Sequence, residues 1–184
     1  MRTPYGREIG DELQERLARI RLVVLDVDGV LTDGGIYLTN SGDEMKKFNA
    51  KDGFGIKAIE RHGVKTAIIT WKTSAIVEKR ARDLEITDVV QGAVGKDSYF
   101  REILQREGIE EGSGESCYVG DDVTDLGCMR IAGFGAAPAD AHPEVLAAAD
   151  FVSSLAGGHG AVREFCDAIL QARGAAGDRA GASL

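Results

Sequence analysis

The chain has 184 residues, of which 43% are hydrophobic and 28% charged, with a formal net charge of −8 and a pI of about 4.9. This length and this balance are typical of one globular domain large enough to bury its own core. The acidic balance disfavours nucleic acid as a partner, because phosphate backbones are bound by basic surfaces.

Membrane and redox signals are absent from the sequence. No apolar stretch approaches the roughly 18 residues that a membrane helix needs, and the first eight residues lack the apolar core of a signal peptide. Cys117, Cys128 and Cys166 are odd in number and show no metal-ligand spacing. We therefore expect reduced thiols, a cytoplasmic localisation, and neither a membrane nor nucleic acid among the partners.

The first third of the chain predicts a helix, a strand and a hairpin. Apolar residues recur at helical spacing over residues 8–20, which predicts a short amphipathic helix. An apolar run over residues 22–25 predicts a buried strand. Residues 35–38 and 44–48, separated by a polar turn, predict a β-hairpin inserted after that strand.

The remainder alternates between helical and strand patterns. Strands are predicted over residues 65–70, 88–91, 116–119, 134–137 and 150–152, and helices over residues 54–61, 74–84, 98–107, 124–131, 143–148 and 161–170. This alternation predicts an α/β fold, a Rossmann-like parallel sheet with helices on both faces. We expect one domain over residues 1–184, with a core from about residue 20 to about residue 170 and a flexible tail over residues 173–184.

Two carboxylates, Asp26 and Asp28, directly follow the first predicted strand, and Gly29 comes next. Open α/β sheets bind ligands at this carboxyl edge. Two carboxylates so close repel each other unless a cation lies between them, and Mg²⁺ prefers oxygen ligands. The hypothesis is phosphoryl transfer, with Asp26 attacking phosphorus and Asp28 acting as acid and base. The alternative is a strand that ends in a polar turn made by Asp28 and Gly29.

Later strand ends add further polar groups. Thr70 ends the next predicted strand of the sheet, Lys96 follows the strand after that, and Asp121 and Asp122 follow residues 116–119. Carboxyl ends of parallel strands meet at one edge, so these side chains are expected to converge with Asp26 and Asp28. A nucleophile, an acid/base, a hydroxyl, an ammonium and further carboxylates suit phosphate hydrolysis, which depends on positioning and charge neutralisation.

In these motifs the chain resembles the haloacid dehalogenase superfamily of phosphatases. Further segments that match are Asp26-Val27-Asp28-Gly29-Val30-Leu31-Thr32-Asp33-Gly34, Lys47-Phe48-Asn49, Asp52-Gly53, Gln91-Gly92, Gly120-Asp121-Asp122, Asp140-Ala141-His142-Pro143 and Gly157-Gly158-His159-Gly160-Ala161-Val162-Arg163-Glu164. In these segments the chain resembles the capless branch of the superfamily, typified by the 3-deoxy-D-manno-octulosonate 8-phosphate phosphatases, and the resemblance covers roughly residues 20–170.

The resemblance implies a role for each acidic residue of the motifs. It makes Asp26 the nucleophile and a metal ligand, and Asp28 the acid/base and a ligand through its backbone carbonyl. Asp121 would be the third protein ligand of Mg²⁺, Asp122 would orient the metal's surroundings, and Asp125 would support the loop.

The resemblance also implies the substrate contacts and the assembly. Thr70 and Lys96 would bind the phosphoryl oxygens, while Lys72, Arg80 and Arg163 would contact the rest of a sugar phosphate. The alternative to substrate contact for Arg80 and Arg163 is that each is a charged residue on the surface of its helix. The branch further implies a homotetramer built through the hairpins, in which a neighbouring subunit completes the active site near residues 157–160.

The sequence departs from the family directly after Thr70, where glycine followed by arginine or glutamate is usual and Trp71-Lys72 stands here. The implied substrate is the 8-phosphate of 3-deoxy-D-manno-octulosonate, and this departure keeps a nonulosonate 9-phosphate or another ketoacid sugar phosphate as an alternative. Trp71 could instead turn into the core or an interface. A non-catalytic oligomerisation or regulatory module is the alternative from another class.

Overall fold

The computed structural model describes residues 1–175. Its strands are β1 (Leu22–Leu25), β2 (Tyr37–Leu38), β3 (Glu44–Met45), β4 (Lys65–Ile69), β5 (Asp88–Val90), β6 (Ser116–Val119), β7 (Gly135–Ala137) and β8 (Phe151–Val152). Its helices are α1 (Asp11–Arg19), α2 (Ala50–Arg61), α3 (Ala75–Leu84), α4 (Lys96–Glu107), α5 (Leu126–Ala132), α6 (Pro143–Ala148) and α7 (Ala161–Ala172), with a 3₁₀ turn at Val123–Asp125.

Within the described residues, the parallel sheet has the order β5-β4-β1-β6-β7-β8, and β2 and β3 form a separate antiparallel hairpin. The predicted α/β sheet and the hairpin insertion are both confirmed. From β1 the chain first adds β4 and β5 on one side, and it then returns to add β6, β7 and β8 on the other side. The strand order therefore reverses between β1 and β6, and such switch points form crevices at the carboxyl edge of a sheet.

Alternation along β1 divides the core into two layers. Val23 and Leu25 face the apolar cluster built with α1, α2, α3 and α7, whereas Leu22 and Val24 face the cluster built with α4, α5 and α6. Successive side chains of a strand point to opposite faces. The four residues of β1 are all fully or nearly fully buried, so the strand holds its carboxyl end rigidly at the centre of the sheet.

Some element boundaries differ from the predicted ones for local reasons. Helix α2 begins at Ala50 instead of residue 54, because the Asn49 side chain accepts a hydrogen bond from the backbone N–H of Lys51. Helix α4 begins at Lys96 instead of residue 98, directly after Gly95 with its φ of 75°. The predicted helix over residues 124–131 is divided, because Asp122 and Asp125 form a reciprocal capping box around the 3₁₀ turn.

The predicted tail lies for the most part outside the described residues, which end at 175. Arg173, at its start, is anchored, since its guanidinium donates hydrogen bonds to the carbonyls of His62 and Ile20. Among the described helices, none has the length and apolar character required to cross a membrane.

Candidate active site

The register of the sheet brings three polar strand ends together. Leu25 of β1 lies opposite Ile68 of β4 on one side and Val119 of β6 on the other. The residues that follow these strands line one cavity of about 610 Å³ at the carboxyl edge. The predicted site residues in its lining are Asp26, Asp28, Thr70, Lys72, Lys96, Asp121 and Asp122.

A buried ion cluster forms the floor of this cavity. Lys96 Nζ lies 2.9 Å from Asp26 Oδ2 and donates to Asp125 Oδ1 at 2.8 Å. Asp26 and Lys96 are each 7% exposed, and Asp125 is fully buried. Burial lowers the pKa of Lys96, but the charges of Asp26 and Asp125 outweigh this and raise it. The ammonium therefore stays charged beside the Asp26 carboxylate.

Two of the carboxyls titrate well above their usual range. Burial, together with the charge of Asp125, raises the pKa of Asp26 to about 6 against the opposing charge of Lys96. Burial and the charge of Asp26 raise the pKa of Asp121 to about 7. Negative charge is thus in excess in the protein alone, and a bound cation would relieve it.

The donor set fits a divalent metal ion. Oxygens of Asp26, Asp121 and Asp125 lie within 4.8 Å of one another. Asp125 is already engaged, since its Oδ1 accepts from Lys96 and its Oδ2 from the backbone N–H groups of Asp121 and Asp122. Asp26 Oδ1 is buried with no hydrogen-bond partner in the described structure. Asp26 and Asp121 are therefore the carboxylates best placed to hold the ion.

Asp122 plays a local structural part as well. Its exposed side chain accepts from the backbone N–H of Val123 at 2.7 Å and begins the 3₁₀ turn that carries Asp125. The structure thus brings Asp122 to the cavity edge, while the carboxylate of Asp125 accepts hydrogen bonds from the backbone N–H groups of Asp121 and Asp122.

Two glycines allow the loops of the site to approach each other. Gly29 has a φ of 84°, and a Cβ there would lie 2.0 Å from Asp121 Oδ2. At Gly157 a Cβ would lie 1.8 Å from the Gly29 carbonyl oxygen. The glycine-rich segment before α7 therefore packs directly on the loop after β1 and supports it.

Lys46, in the segment after β3, is a site residue that sequence reasoning missed. Its side chain is 3% exposed, its Nζ donates to Asp28 Oδ1, and it lies 3.3 Å from Glu44 Oε1. Glu44 and Lys46 are two residues apart and so share a face of an extended segment. That pattern was visible in the sequence, but nothing local indicated that this face meets Asp28.

The segment after Thr70 borders the cavity. Thr70 is 3% exposed at the end of β4. Lys72 Nζ lies 3.9 Å from Asp28 Oδ2, and its side chain is 45% exposed. Trp71 is 66% exposed and lines the same cavity, so it does not turn into the core of this chain.

Arg80 and Arg163 do not line the cavity of the single chain. Arg80 donates to the Asn49 carbonyl at 3.3 Å and lies 5.6 Å from the Phe48 ring centroid. Arg163 donates to Asp167 Oδ2 at 3.0 Å and lies 4.8 Å from the Phe54 ring centroid. Their predicted contact with substrate stays a prediction.

Known proteins similar to this chain in sequence and structure are phosphatases. No family model matches the chain. It is 42% identical over 182 residues to 3-deoxy-D-manno-octulosonate 8-phosphate phosphatase KdsC of Escherichia coli (strain K12), covering 99% of this chain and 95% of that protein. The structure of the phosphatase from Yersinia pestis superposes with a TM-score of 0.94 at 40% identity, covering 100% of this chain and 98% of that one.

A third relative bears on the cavity. The phosphatase from Moraxella catarrhalis, solved in complex with magnesium ion, phosphate ion and KDO, matches with a TM-score of 0.87 at 36% identity, covering 92% of this chain and 97% of that one. The fold is that of the haloacid dehalogenase superfamily, which the description of another solved neighbour names. The chain belongs to the 3-deoxy-D-manno-octulosonate 8-phosphate phosphatase family of that superfamily.

Proposed function

We propose that this chain is a Mg²⁺-dependent phosphomonoesterase that hydrolyses 3-deoxy-D-manno-octulosonate 8-phosphate to the ketoacid sugar and phosphate. The observation that carries the proposal is the buried Asp26–Lys96 pair, 2.9 Å apart, beside Asp28 and Asp121 in one cavity. A carboxylate held by a cation at the switch point of the sheet suits a nucleophile for phosphorus. The family relationship supports the substrate.

In the first half of the reaction, a carboxylate oxygen of Asp26 attacks phosphorus. The bond from phosphorus to the sugar oxygen breaks, and Asp28 gives its proton to that oxygen as it leaves. Asp28 enters this step protonated on Oδ2, while its Oδ1 accepts a hydrogen bond from Lys46. The products of this half are the free sugar and an aspartyl-phosphate at position 26.

In the second half, Asp28 takes a proton from a water molecule whose oxygen attacks the same phosphorus. The bond between phosphorus and Asp26 breaks, which releases inorganic phosphate and restores the carboxylate. Each residue thus returns to its starting protonation, and one water is consumed for each phosphate released.

Positioning of the phosphoryl group is assigned to Thr70 and Lys96, and contact with the sugar to Lys72. Thr70 offers a hydroxyl and Lys96 a buried ammonium at the cavity floor. Bound Mg²⁺ would neutralise charge on the phosphoryl oxygens. Asp26, Asp121 and the backbone carbonyl of Asp28 would hold it, with Asp122 orienting its surroundings.

We also infer a cytoplasmic homotetramer in which a neighbouring subunit completes the site. Support comes from the hairpin, where Ile36, Tyr37, Leu38 and Met45 are 70%, 40%, 65% and 54% exposed. Four exposed apolar side chains on one short hairpin favour an interface between copies of the chain. Arg80 and Arg163, which do not reach the cavity of their own chain, would contact substrate only across such an interface.

The experiment is phosphate release from a panel of sugar phosphates, measured with Mg²⁺ and with chelator. The panel contains the octulosonate 8-phosphate, nonulosonate 9-phosphates and simple hexose phosphates. We expect the highest kcat/KM for the octulosonate, loss of turnover with chelator, and loss of turnover in Asp26→Asn.

Two other outcomes would change the proposal in different ways. Preference for a nonulosonate 9-phosphate would keep the mechanism and replace the substrate. A folded protein that releases phosphate from no member of the panel would contradict the proposal and favour a non-catalytic module.

A further inference from the structure

Trp71 occupies an unusual position for a large apolar side chain. It is 66% exposed, directly follows the buried Thr70, and lines the cavity that holds Asp26 and Lys96. Within residues 1–175 its indole has no hydrogen-bond acceptor, no stacked ring and no cation over its face. An indole left open to water at the edge of this cavity is free to pack against a bound ligand.

Val94 is the other large exposed apolar residue of this cavity wall, at 78%. It precedes Gly95 and Lys96 at the start of α4, as Trp71 follows Thr70 at the end of β4. The cavity therefore has a charged floor and an apolar lip made by Trp71 and Val94. Ligand sites commonly combine a few placed polar groups with apolar and aromatic walls.

We propose that Trp71 determines specificity in this chain by packing its indole face against the carbon chain of the bound sugar acid. This inference rests on the proposed function and deepens it. The phosphoryl group is held on the floor by Thr70 and Lys96, so the body of the substrate must pass the residue next to Thr70 on its way out of the cavity. An indole face accepts C–H groups, while the hydroxyls of the sugar turn to water or to Lys72.

The chain offers a direct probe of this contact, because Trp71 is its one tryptophan. All indole fluorescence comes from the cavity mouth. The Asp26→Asn variant permits titration with octulosonate 8-phosphate without turnover. We expect its emission to shift to the blue and the acrylamide quenching constant to fall at least twofold on saturation. Inorganic phosphate with Mg²⁺ fills only the floor and should leave both readings nearly unchanged.

Steady-state kinetics supply the second arm. In Trp71→Ala we expect KM for the octulosonate 8-phosphate to rise about tenfold, equivalent to about 1.4 kcal/mol, with kcat within about twofold. Trp71→Phe keeps an aromatic face and should recover most of the affinity. Methyl phosphate has no sugar chain, so its kcat/KM should be the same in all three proteins.

The outcomes separate this inference from the function on which it rests. No phosphate release by the wild-type protein would overturn both. Normal turnover with an unchanged KM in Trp71→Ala, or an equal loss toward methyl phosphate, would overturn the role of Trp71 alone. The same would follow if the ligand-free protein already showed blue, unquenchable emission, since a second copy would then cover the indole.

Discussion

Lys46 Nζ and Asp28 Oδ1 form a hydrogen-bonded ion pair that joins the hairpin region to the candidate active site. Burial lowers the pKa of Lys46, but the hydrogen bond and charge of Asp28, with the charge of Glu44, raise it overall. The pair fixes one oxygen of Asp28 while the other stays available. The segment that exposes an apolar surface therefore also orients the proposed acid/base.

We predict that Lys46→Met lowers kcat by about 10- to 100-fold, because a freely rotating Asp28 transfers protons less effectively. KM should change little, since Lys46 does not line the cavity. The measurement is phosphate release at saturating substrate. Lys47→Met is the matched control, because Lys47 is 55% exposed. Equal kcat in Lys46→Met and the wild type would refute the positioning role.

Substitution of Gly29 tests the approach of the two acidic loops. In Gly29→Ala the new Cβ would lie 2.0 Å from Asp121 Oδ2 at a φ of 84°, so Asp121 must move. We expect loss of at least 90% of the Mg²⁺-dependent activity, with the fold retained by circular dichroism, since a displaced ligand weakens metal binding. Gly10→Ala is the control, because nothing lies within 4 Å of its Cβ position. Normal activity in Gly29→Ala would contradict the assigned geometry.

Metal binding should stabilise the folded protein. A ligand at 100 times its Kd adds about 2.7 kcal/mol, which corresponds to roughly 5–10 °C in Tm for a chain of this size. We expect Mg²⁺ to raise Tm and chelator to reverse the effect. Asp121→Asn should remove the rise, whereas Asp43→Asn, in an exposed turn, should keep it. A Tm that is independent of Mg²⁺ in the wild type would contradict the metal site.

The buried Asp52 should make the stability of the fold depend on pH, independently of the active site. It is 1% exposed, and its Oδ1 accepts from the backbone N–H of Arg163 at 2.8 Å. Burial raises its pKa to about 6, against the hydrogen bonds from Arg163 and Gly160 and the charges of Arg80 and Arg163.

The direction in which stability changes with pH follows from the number of protons that each state binds. Between about pH 4, the pKa range of an unfolded Asp, and about pH 6, the folded state binds more protons than the unfolded state. Ionisation of Asp52 therefore removes about 2–3 kcal/mol of stability as the pH rises through this window. Asp52→Asn should become more stable relative to the wild type over the same range. Urea unfolding in the presence of chelator measures the difference, and a difference independent of pH would contradict the shift.

Much of the site could be predicted because its signals are local. Asp26, Thr70 and Asp121 each follow an apolar run, and a parallel sheet places all such ends at one edge. These residues do meet in one cavity, although their chemical roles remain predictions.

Other features depended on tertiary packing and could not be predicted. Lys46 reaches Asp28 only because the bridge between Thr32 and Phe48 docks the end of the hairpin against the loop after β1. Arg80 and Arg163 turn toward Phe48 and Phe54. The sequence around a helix arginine does not show which residue its side chain will contact. Substrate contact and a position on the helix surface therefore both remained open for Arg80 and Arg163.

The aspartyl-phosphate at Asp26 is the central claim, and trapping it is the most direct test. The enzyme would be mixed with octulosonate 8-phosphate and Mg²⁺, quenched, and reduced with borohydride, which converts an aspartyl-phosphate to homoserine. We predict homoserine at position 26 by peptide mass spectrometry, and none with chelator. Phosphate release by the wild-type protein with position 26 unmodified would contradict the account.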